Sequence, residues 1–314
     1  MDKALYIQKE VQKILGTDEV YLVGGSVRDL VMGNTPKDYD FTTSMLPTEM
    51  IEKVKAAGRR VYTIGEKFGT IGFKVPMPKG ITSDPNAGVV NVWTNPNGTT
   101  FEYVEVTTFR SEVYTGKSRK PEVQFVPSLD EDLARRDFTM NAMVLRSDGT
   151  IYDPYGGKLD IYGKLIKTVG MPKDRIIEDP LRMLRAARFA ARYGFMIDPN
   201  FIGKARQLSD RIYNVSVERW VTEIDKLLTS EHYDRGLTEM FQMNLLYSIL
   251  PEIVDLNRIT RENPTLGEDA DLAWKNLLQY TEDNKQIARY INTGICLRLK
   301  FSNDRTEVII GKKK

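Results

Sequence analysis

The stretch LVGGSVRDLVMGNTPKDYDF, residues 22–41, constrains the fold more than any other part of the chain. Tyr21, Leu22 and Val23 read as the end of an apolar strand running into Gly24-Gly25. Ser26 stands where it can N-cap a short helix carrying Arg28 and Asp29, and Gly33-Asn34 and Pro36 must stop that helix. The next strand is expected over Asp38–Phe41, where a period of two puts Asp38 and Asp40 on one face and Tyr39 and Phe41 on the other. Two carboxylates on a strand, beside a glycine turn and a helix N-terminus suited to phosphate, describe a site for metal-assisted phosphoryl chemistry. A D-x-D or a Gly-Gly alone is ordinary turn chemistry, so the weight of this reading comes from the rest of the chain.

Composition narrows the chemistry. The 314 residues hold one cysteine, Cys296, and one histidine, His232. That excludes a disulfide framework and most zinc sites, and it removes the usual Ser–His and Cys–His engines unless His232 is itself the base. A metal here is therefore expected on carboxylate oxygens, which means magnesium, with manganese as the alternative. The amphipathic start MDKALYIQKEVQKIL is not a signal peptide, no apolar run reaches membrane-spanning length, and the single cysteine agrees with a reducing cytoplasm. The net charge of +2 says little, but arginines gather at 135–136 and 182–192, as suits phosphates.

Along the chain, helices are expected over 3–15, with Leu5, Val11, Ile14 and Leu15 at helical spacing, and from Thr48 to Gly58. Strands are expected at Val61–Ile64, Thr70–Val75, Val89–Trp93 and Thr99–Phe109, the last two forming a hairpin about Asn95–Gly98. Residues 76–88 read as an inserted surface loop, and 110–127 as a polar, basic loop without a period. Glu105 reads either as a further carboxylate of the site or as a solvent-facing strand residue, and the second is the expectation because its parity cannot be tied to that of Asp38. Ser128 opens a helix through a capping box with Glu131, and that helix carries LARRDFTMNAM. A hairpin turning at Asp148-Gly149 closes the β-rich part. From about 158 the chain reads as helical. Asp179-Pro180 starts a helix on which Arg182, Arg185, Arg188 and Arg192 form one stripe opposite Met183, Ala186, Ala187 and Ala190. Later helices are expected at 216–228, 234–249 and 268–280, and Lys312–Lys314 as a solvated end.

The motifs GGSVRD…DYD, FGT, RRDFTMNA, DPYGG, EDPLRMLRAARFA and SVERW follow one another between residues 20 and 230. In that order they resemble the class II tRNA nucleotidyltransferase family, the bacterial CCA-adding enzymes and their poly(A) polymerase relatives. The resemblance implies an α+β fold. A nucleotidyltransferase head of the polymerase-β type, with a mixed sheet and flanking helices, is expected over 1–152. An all-α neck over 153–213 and a body over 214–314 would follow, the tRNA-holding tail of the body being short or truncated in this chain.

The resemblance also implies roles. Asp38 and Asp40 would bind two Mg²⁺ ions, Gly25 and Arg28 the triphosphate, and Arg136 and Asp137, supported by Asn141, the ribose and phosphates. Asp179 and Arg182 would read the base edge in place of a template, and Arg185 and Arg188 would continue toward the phosphates. A carboxylate and a guanidinium at i, i+3 offer acceptor and donor together, complementary to cytosine and adenine, whereas uracil and guanine would leave buried groups unpaired. For Glu178, plain charge complementarity at a helix start serves as well.

The implied activity is addition of CCA to the tRNA 3′ end from CTP and ATP. The segment GEKFGTIGFKV lacks the basic signature of the poly(A) polymerases, and the full-length loop 110–127 argues against a CC-adding type. Those activities stay as alternatives within the family, and a non-catalytic RNA-binding protein is the alternative outside it. Family members continue past position 314 with a helical tail, so a truncated or compact form is expected.

Overall fold

The computed structural model describes residues 2–78, 92–95, 97–113, 122–250, 269–278 and 295–310. The chain forms two compact units, Met1–Gly163 and Lys164–Lys314.

The first unit is built on a mixed sheet. Its strands are β1 (Val20–Val23), β2 (Tyr39–Thr43), β3 (Val61–Tyr62), β4 (Thr70–Pro76), β5 (Val92–Thr94), β6 (Thr100–Thr108), β9 (Val144–Leu145) and β10 (Ile151–Tyr152), with β7 (Arg110–Val113) and β8 (Glu122–Phe125) forming a separate hairpin. The order is β10-β9-β1-β2-β6-β4-β3, with β5 also paired to β6. All pairs in this sheet are antiparallel except β2 and β6, which run parallel with Asp40 opposite Glu105. Alternation makes one sheet face the core: Tyr39, Phe41, Ile71, Phe73, Val75, Val104 and Val106 are almost wholly buried.

Helix α1 (Asp2–Leu15) presents Ala4, Ile7, Val11 and Leu15 as its buried stripe, while Leu5 and Ile14 of the expected set are half-exposed. Burying each large aliphatic side chain contributes about 1.5–3 kcal/mol. Two buried glutamines share the stripe. Gln8 Nε2 donates to the carbonyls of Val20 (2.9 Å) and Leu145 (3.1 Å), and Gln12 Nε2 donates to Ser147 Oγ (2.6 Å), so both side-chain NH2 groups have acceptors, while Gln8 Oε1 is buried without a donor. Helices α2 (Gly25–Val31), α3 (Pro47–Ala56), α4 (Leu129–Ala134) and α5 (Gly157–Tyr162) complete the unit.

Several expectations need correcting. The helix from Ser128 ends at Ala134, and Thr139–Asn141 is a single 3-10 turn. The stretch 110–127 holds the β7–β8 hairpin, while 114–121, with GKSRKP, lies outside the described residues, as do 79–91 and Lys312–Lys314. The break between units falls at Gly163, beyond the expected 152, because α5 is fastened to the first unit. The Gly157 and Lys158 N–H groups donate to the Asp153 carboxylate (2.7 and 2.9 Å), and Thr139 Oγ1 donates to Asp160 (2.6 Å).

Among its described residues the second unit is helical apart from a two-residue parallel ladder, β11 (Leu165–Ile166) with β12 (Met196–Ile197). Its helices are α6 (Pro172–Glu178), α7 (Leu181–Tyr193), α8 (Pro199–Gln207), α9 (Val217–Leu228), α10 (Tyr233–Gln242) and α11 (Leu245–Ile249), followed by Ala270–Leu278 and Asn303–Ile309. Helix α7 is the spine, packed against α9 and α10. Ala191 and Gly236 allow the close crossing of α7 and α10: a methyl group at Gly236 would lie 2.7 Å from Ala191 Cβ.

Candidate active site and nucleotide-reading helix

Asp38, Tyr39, Asp40, Tyr103 and Glu105 line a cavity of about 300 Å³ in the first unit. The strand begins at Tyr39, one residue later than expected, so Asp38 stands at its mouth. Ser26 does not cap α2. It lies inside the helix, donates its hydroxyl to the Asp38 carbonyl (2.8 Å) and accepts from the Asp40 N–H (3.4 Å), which pins the segment between the two aspartates. Gly24 takes the N-cap position with φ 71° and ψ −131°, a conformation suited to glycine, and a methyl group there would lie 3.2 Å from Arg136 Nη1.

Glu105, expected to face solvent, is exposed and also lines the cavity. The parallel pairing of β2 with β6 sets it beside Asp40 on the cavity face. Burial, reinforced by the charges of Glu105 and then Asp38, raises the Asp40 carboxyl to about 6, and Arg136 pulls in the other direction. The carboxyl still opens onto the cavity, so water relieves part of that burial. Tyr103 is pushed up to about 12, by burial and then by Glu105. The cavity lining thus gathers three carboxylates, Asp38, Asp40 and Glu105. Among the described residues no three His, Cys, Asp or Glu side chains close into a preformed metal cage. Magnesium is commonly held by one or two carboxylates plus substrate phosphates, and Asp38 and Asp40 fit that pattern.

Behind the cavity the two distant motifs interlock. Arg28, only 5% exposed, donates through Nε and Nη2 to Asp29 Oδ1 (3.0 and 2.9 Å) and through Nη1 to Asn141 Oδ1 (2.7 Å). Asn141 Nδ2 in turn donates to Asp137 Oδ1 (3.0 Å). Arg28, Asn141 and Asp137 therefore form one network that holds the glycine turn against the RRDFTMNA segment. Asp132, fully buried, anchors the neighbouring arginines. It accepts from Arg135 Nε and Nη2 (3.0 and 2.7 Å) and Arg136 Nη2 (3.0 Å), from Thr42 Oγ1 (3.3 Å) and from the Arg110 N–H (3.3 Å). Burial alone would raise its carboxyl, but the Arg136 and Arg135 guanidiniums hold it below the ordinary range. Nothing in the sequence reading singled out Asp132.

In the second unit Asp179 sits in an extended conformation between α6 and α7. Its Oδ1 accepts from the Leu181 N–H (3.1 Å) and its Oδ2 from Arg219 Nη2 (2.9 Å). Arg182 is buried and donates through Nη1 to Glu178 Oε2 (2.7 Å) and the Arg175 carbonyl (2.8 Å). Glu178 also pairs with Arg175 Nη2 (2.8 Å), so it is a bridge between arginines rather than a simple helix-start charge. The arginine stripe is largely turned inward. Arg188 is buried with Nε donating to Glu223 Oε2, and Arg185 Nη1 lies 3.8 Å from Glu223 Oε1. Arg192 is exposed.

Comparison with known proteins bears on the family and the fold. Residues 20–167 match the poly(A) polymerase head domain, and residues 194–256 match the family described as the probable RNA and SrmB-binding site of polymerase A. The chain is 38% identical to the CCA-adding enzyme of Bacillus subtilis over 234 residues, covering 74% of this chain and 52% of that one. It is 36% identical to the CCA-adding enzyme of Streptococcus pneumoniae serotype 19F over 266 residues, covering 83% and 59%. The chain thus spans somewhat over half the length of these curated relatives. The crystal structure of the Bacillus stearothermophilus CCA-adding enzyme in complex with CTP superposes with a TM-score of 0.65 at 29% identity, over 100% of this chain and 66% of that one. No helix among the described residues is long and apolar enough to cross a membrane. With the head motifs, their order and the fold in agreement, this chain belongs to the family of class II tRNA nucleotidyltransferases and poly(A) polymerases.

Proposed function

We propose that the protein adds CCA to the 3′ end of tRNA, using CTP and ATP and releasing pyrophosphate. The observation that carries this reading is the cavity in which Asp38, Asp40 and Glu105 meet beside the Gly24-Gly25 turn, in a chain whose relatives of known name are CCA-adding enzymes. Asp38 and Asp40 hold two Mg²⁺ ions, with Mn²⁺ as the alternative, and Glu105 adds a third negative charge beside them. Bound magnesium supplies a lowered pKa at the attacking 3′-hydroxyl and neutralises the triphosphate. The 3′-hydroxyl gives up its proton to water, and its oxygen bonds to the α-phosphorus of the nucleotide as the bond to pyrophosphate breaks. Arg136, held by Asp132 against the glycine turn, offers its guanidinium to the triphosphate. Gly25 leaves its N–H open to close approach, Arg28 fixes that turn through Asn141, and Asp137 and Asn141 face the ribose.

Residues 164–213 act as the neck and the remainder as the body. Asp179 and Arg182 read the base, and their fixed partners Arg219 and Glu178 hold them in one orientation, which is what discrimination by hydrogen bonding requires. Arg185 and Arg188 act through Glu223 rather than as a free stripe toward the phosphates. The compartment in keeping with this work is the cytoplasm.

The test is a gel-resolved extension assay with Mg²⁺ and tRNA transcripts ending at the discriminator base, at C and at CC, each given CTP, ATP, both, UTP or GTP. Two C additions, then one A and a stop, are expected. A run of A on any RNA would move the assignment to a poly(A) polymerase, C additions alone to a CC-adding enzyme, and A added only after CC to an A-adding one. No extension would leave an RNA-binding protein that keeps the fold.

A further inference from the structure

The cavity face of the sheet continues outward from the carboxylates. On β6 the residues that share the face of Glu105 are Tyr103 and Phe101, since side chains alternate. Pairing adds Lys74 opposite Tyr103, Trp93 opposite Phe101 and, at the sheet edge, Tyr62 opposite Gly72. Gly72 has no side chain, and Tyr103 lies across it: a methyl group there would sit 2.0 Å from the Tyr103 hydroxyl. The rings touch one another, Tyr62 with Tyr103 at 5.6 Å and Trp93 with Phe101 at 5.7 Å between centroids. Cations interleave with them. Lys74 Nζ lies 4.8 Å from the Trp93 ring centre, Arg60 5.2 Å from that of Tyr62 and Arg59 6.0 Å from that of Phe101. From Glu105 to Phe101 the track runs about 13 Å along the strand.

We propose that this aromatic and basic track binds the single-stranded 3′ end of the RNA primer as it enters the carboxylate cavity. The proposal rests on the nucleotidyl-transfer reading above. Three observations favour this occupant. Tyr103 lines the cavity and also belongs to the track, so the two surfaces are continuous. The charge changes along the face, from the carboxylates to Lys74, Arg59 and Arg60, which suits a strand whose terminal oxygens meet metal ions and whose upstream phosphates meet cations. Trp93, a ring that a core would bury, is 48% exposed, and a base can stack on any open π-face regardless of sequence. Duplex RNA does not offer such faces, because its bases are already stacked.

The test uses the full chain and measures binding by fluorescence anisotropy, without nucleotide or chemistry. The probes are a labelled RNA hairpin with a short single-stranded 3′ end and the same hairpin made blunt. Trp93→Ala is expected to weaken binding of the tailed hairpin about tenfold and to leave the blunt one unchanged, and Trp93→Phe to stay within about threefold of the parent chain. Lys74→Glu is expected to weaken the tailed hairpin and to reduce the dependence of log K on log salt by about one. Equal affinities of the parent chain, Trp93→Ala and Lys74→Glu for the tailed hairpin would overturn the proposal, as would equal losses for both hairpins. The outcome separates from that of the extension assay. A chain that extends RNA but ignores these substitutions loses the track alone, and one that loses tailed-RNA binding yet never extends keeps the track and loses the reaction.

Discussion

Asp132 offers the sharpest energetic test. Its carboxylate is fully buried and shared by Arg135 and Arg136, with Thr42 and the Arg110 backbone completing its acceptor sites. Removing one partner of a buried pair strands the other charge, so Asp132→Ala is expected to cost about 3–5 kcal/mol. Asp132→Asn keeps the shape and one acceptor and should cost about 2 kcal/mol, the range for a hydrogen bond to a charged group. The two units need not unfold together, so the loss is best read locally, as faster amide hydrogen exchange in β2 and β6 under native conditions. The pH sign follows from the lowered carboxyl. Its stabilisation is complete above the ordinary aspartate value of 3.8 and is lost as pH falls through the folded value, so parent chain and Asp132→Asn should converge in acid. A loss under about 1 kcal/mol for Asp132→Ala would refute the reasoning, since desolvation would then have cancelled the attraction of both arginines.

The remaining predictions concern the site and the spine. Because Asp40 titrates at about 6, incorporation at limiting Mg²⁺ should rise as pH climbs through that value, and more Mg²⁺ should shift the rise to lower pH; a midpoint indifferent to Mg²⁺ would separate Asp40 from the metal. Gly157→Ala would place a methyl group 2.3 Å from the Thr139 carbonyl, so a loss of about 2 kcal/mol or more is expected in thermal melts, and an unchanged melt would contradict the packing. Asp179→Ala should relax discrimination against UTP and GTP more than it slows CTP incorporation, as read from competition assays. Glu223→Gln should loosen Arg185 and Arg188 and raise the KM for nucleotide, and an unaffected KM would make that contact purely structural.

The residues legible in the sequence were those whose meaning is local. The strand–turn–helix–strand unit, the alternation through Tyr39-Asp40-Phe41 and the Asp148-Gly149 hairpin depend on neighbours a few positions away, and the structure contains each of them. For Glu105 the sequence leaves two readings open, because the choice between them depends on β6 pairing parallel with β2, which is made across 65 positions by the whole sheet. The arginine stripe was seen correctly as a period and wrongly as a surface. Periodicity shows which residues share a side of a helix, but the carboxylate that faces Arg188 comes from Glu223 on another helix. The β7–β8 hairpin was missed because RSEV and EVQF mix polar and apolar residues with too little contrast to mark two short strands.

The long antiparallel ladder between β4 and β6 has a consequence for how such a chain can change. Seven consecutive pairs, from Thr70 with Thr107 to Pro76 with Phe101, fix where Glu105 lies whatever joins the two strands. The joining segment, which includes β5, can lengthen at a cost that grows only with the logarithm of its length. Trp93 rides on that segment, whereas the carboxylates do not. Grip on the incoming strand and the reaction itself are thus carried on separately variable parts, and a lineage could retune one while leaving the other untouched.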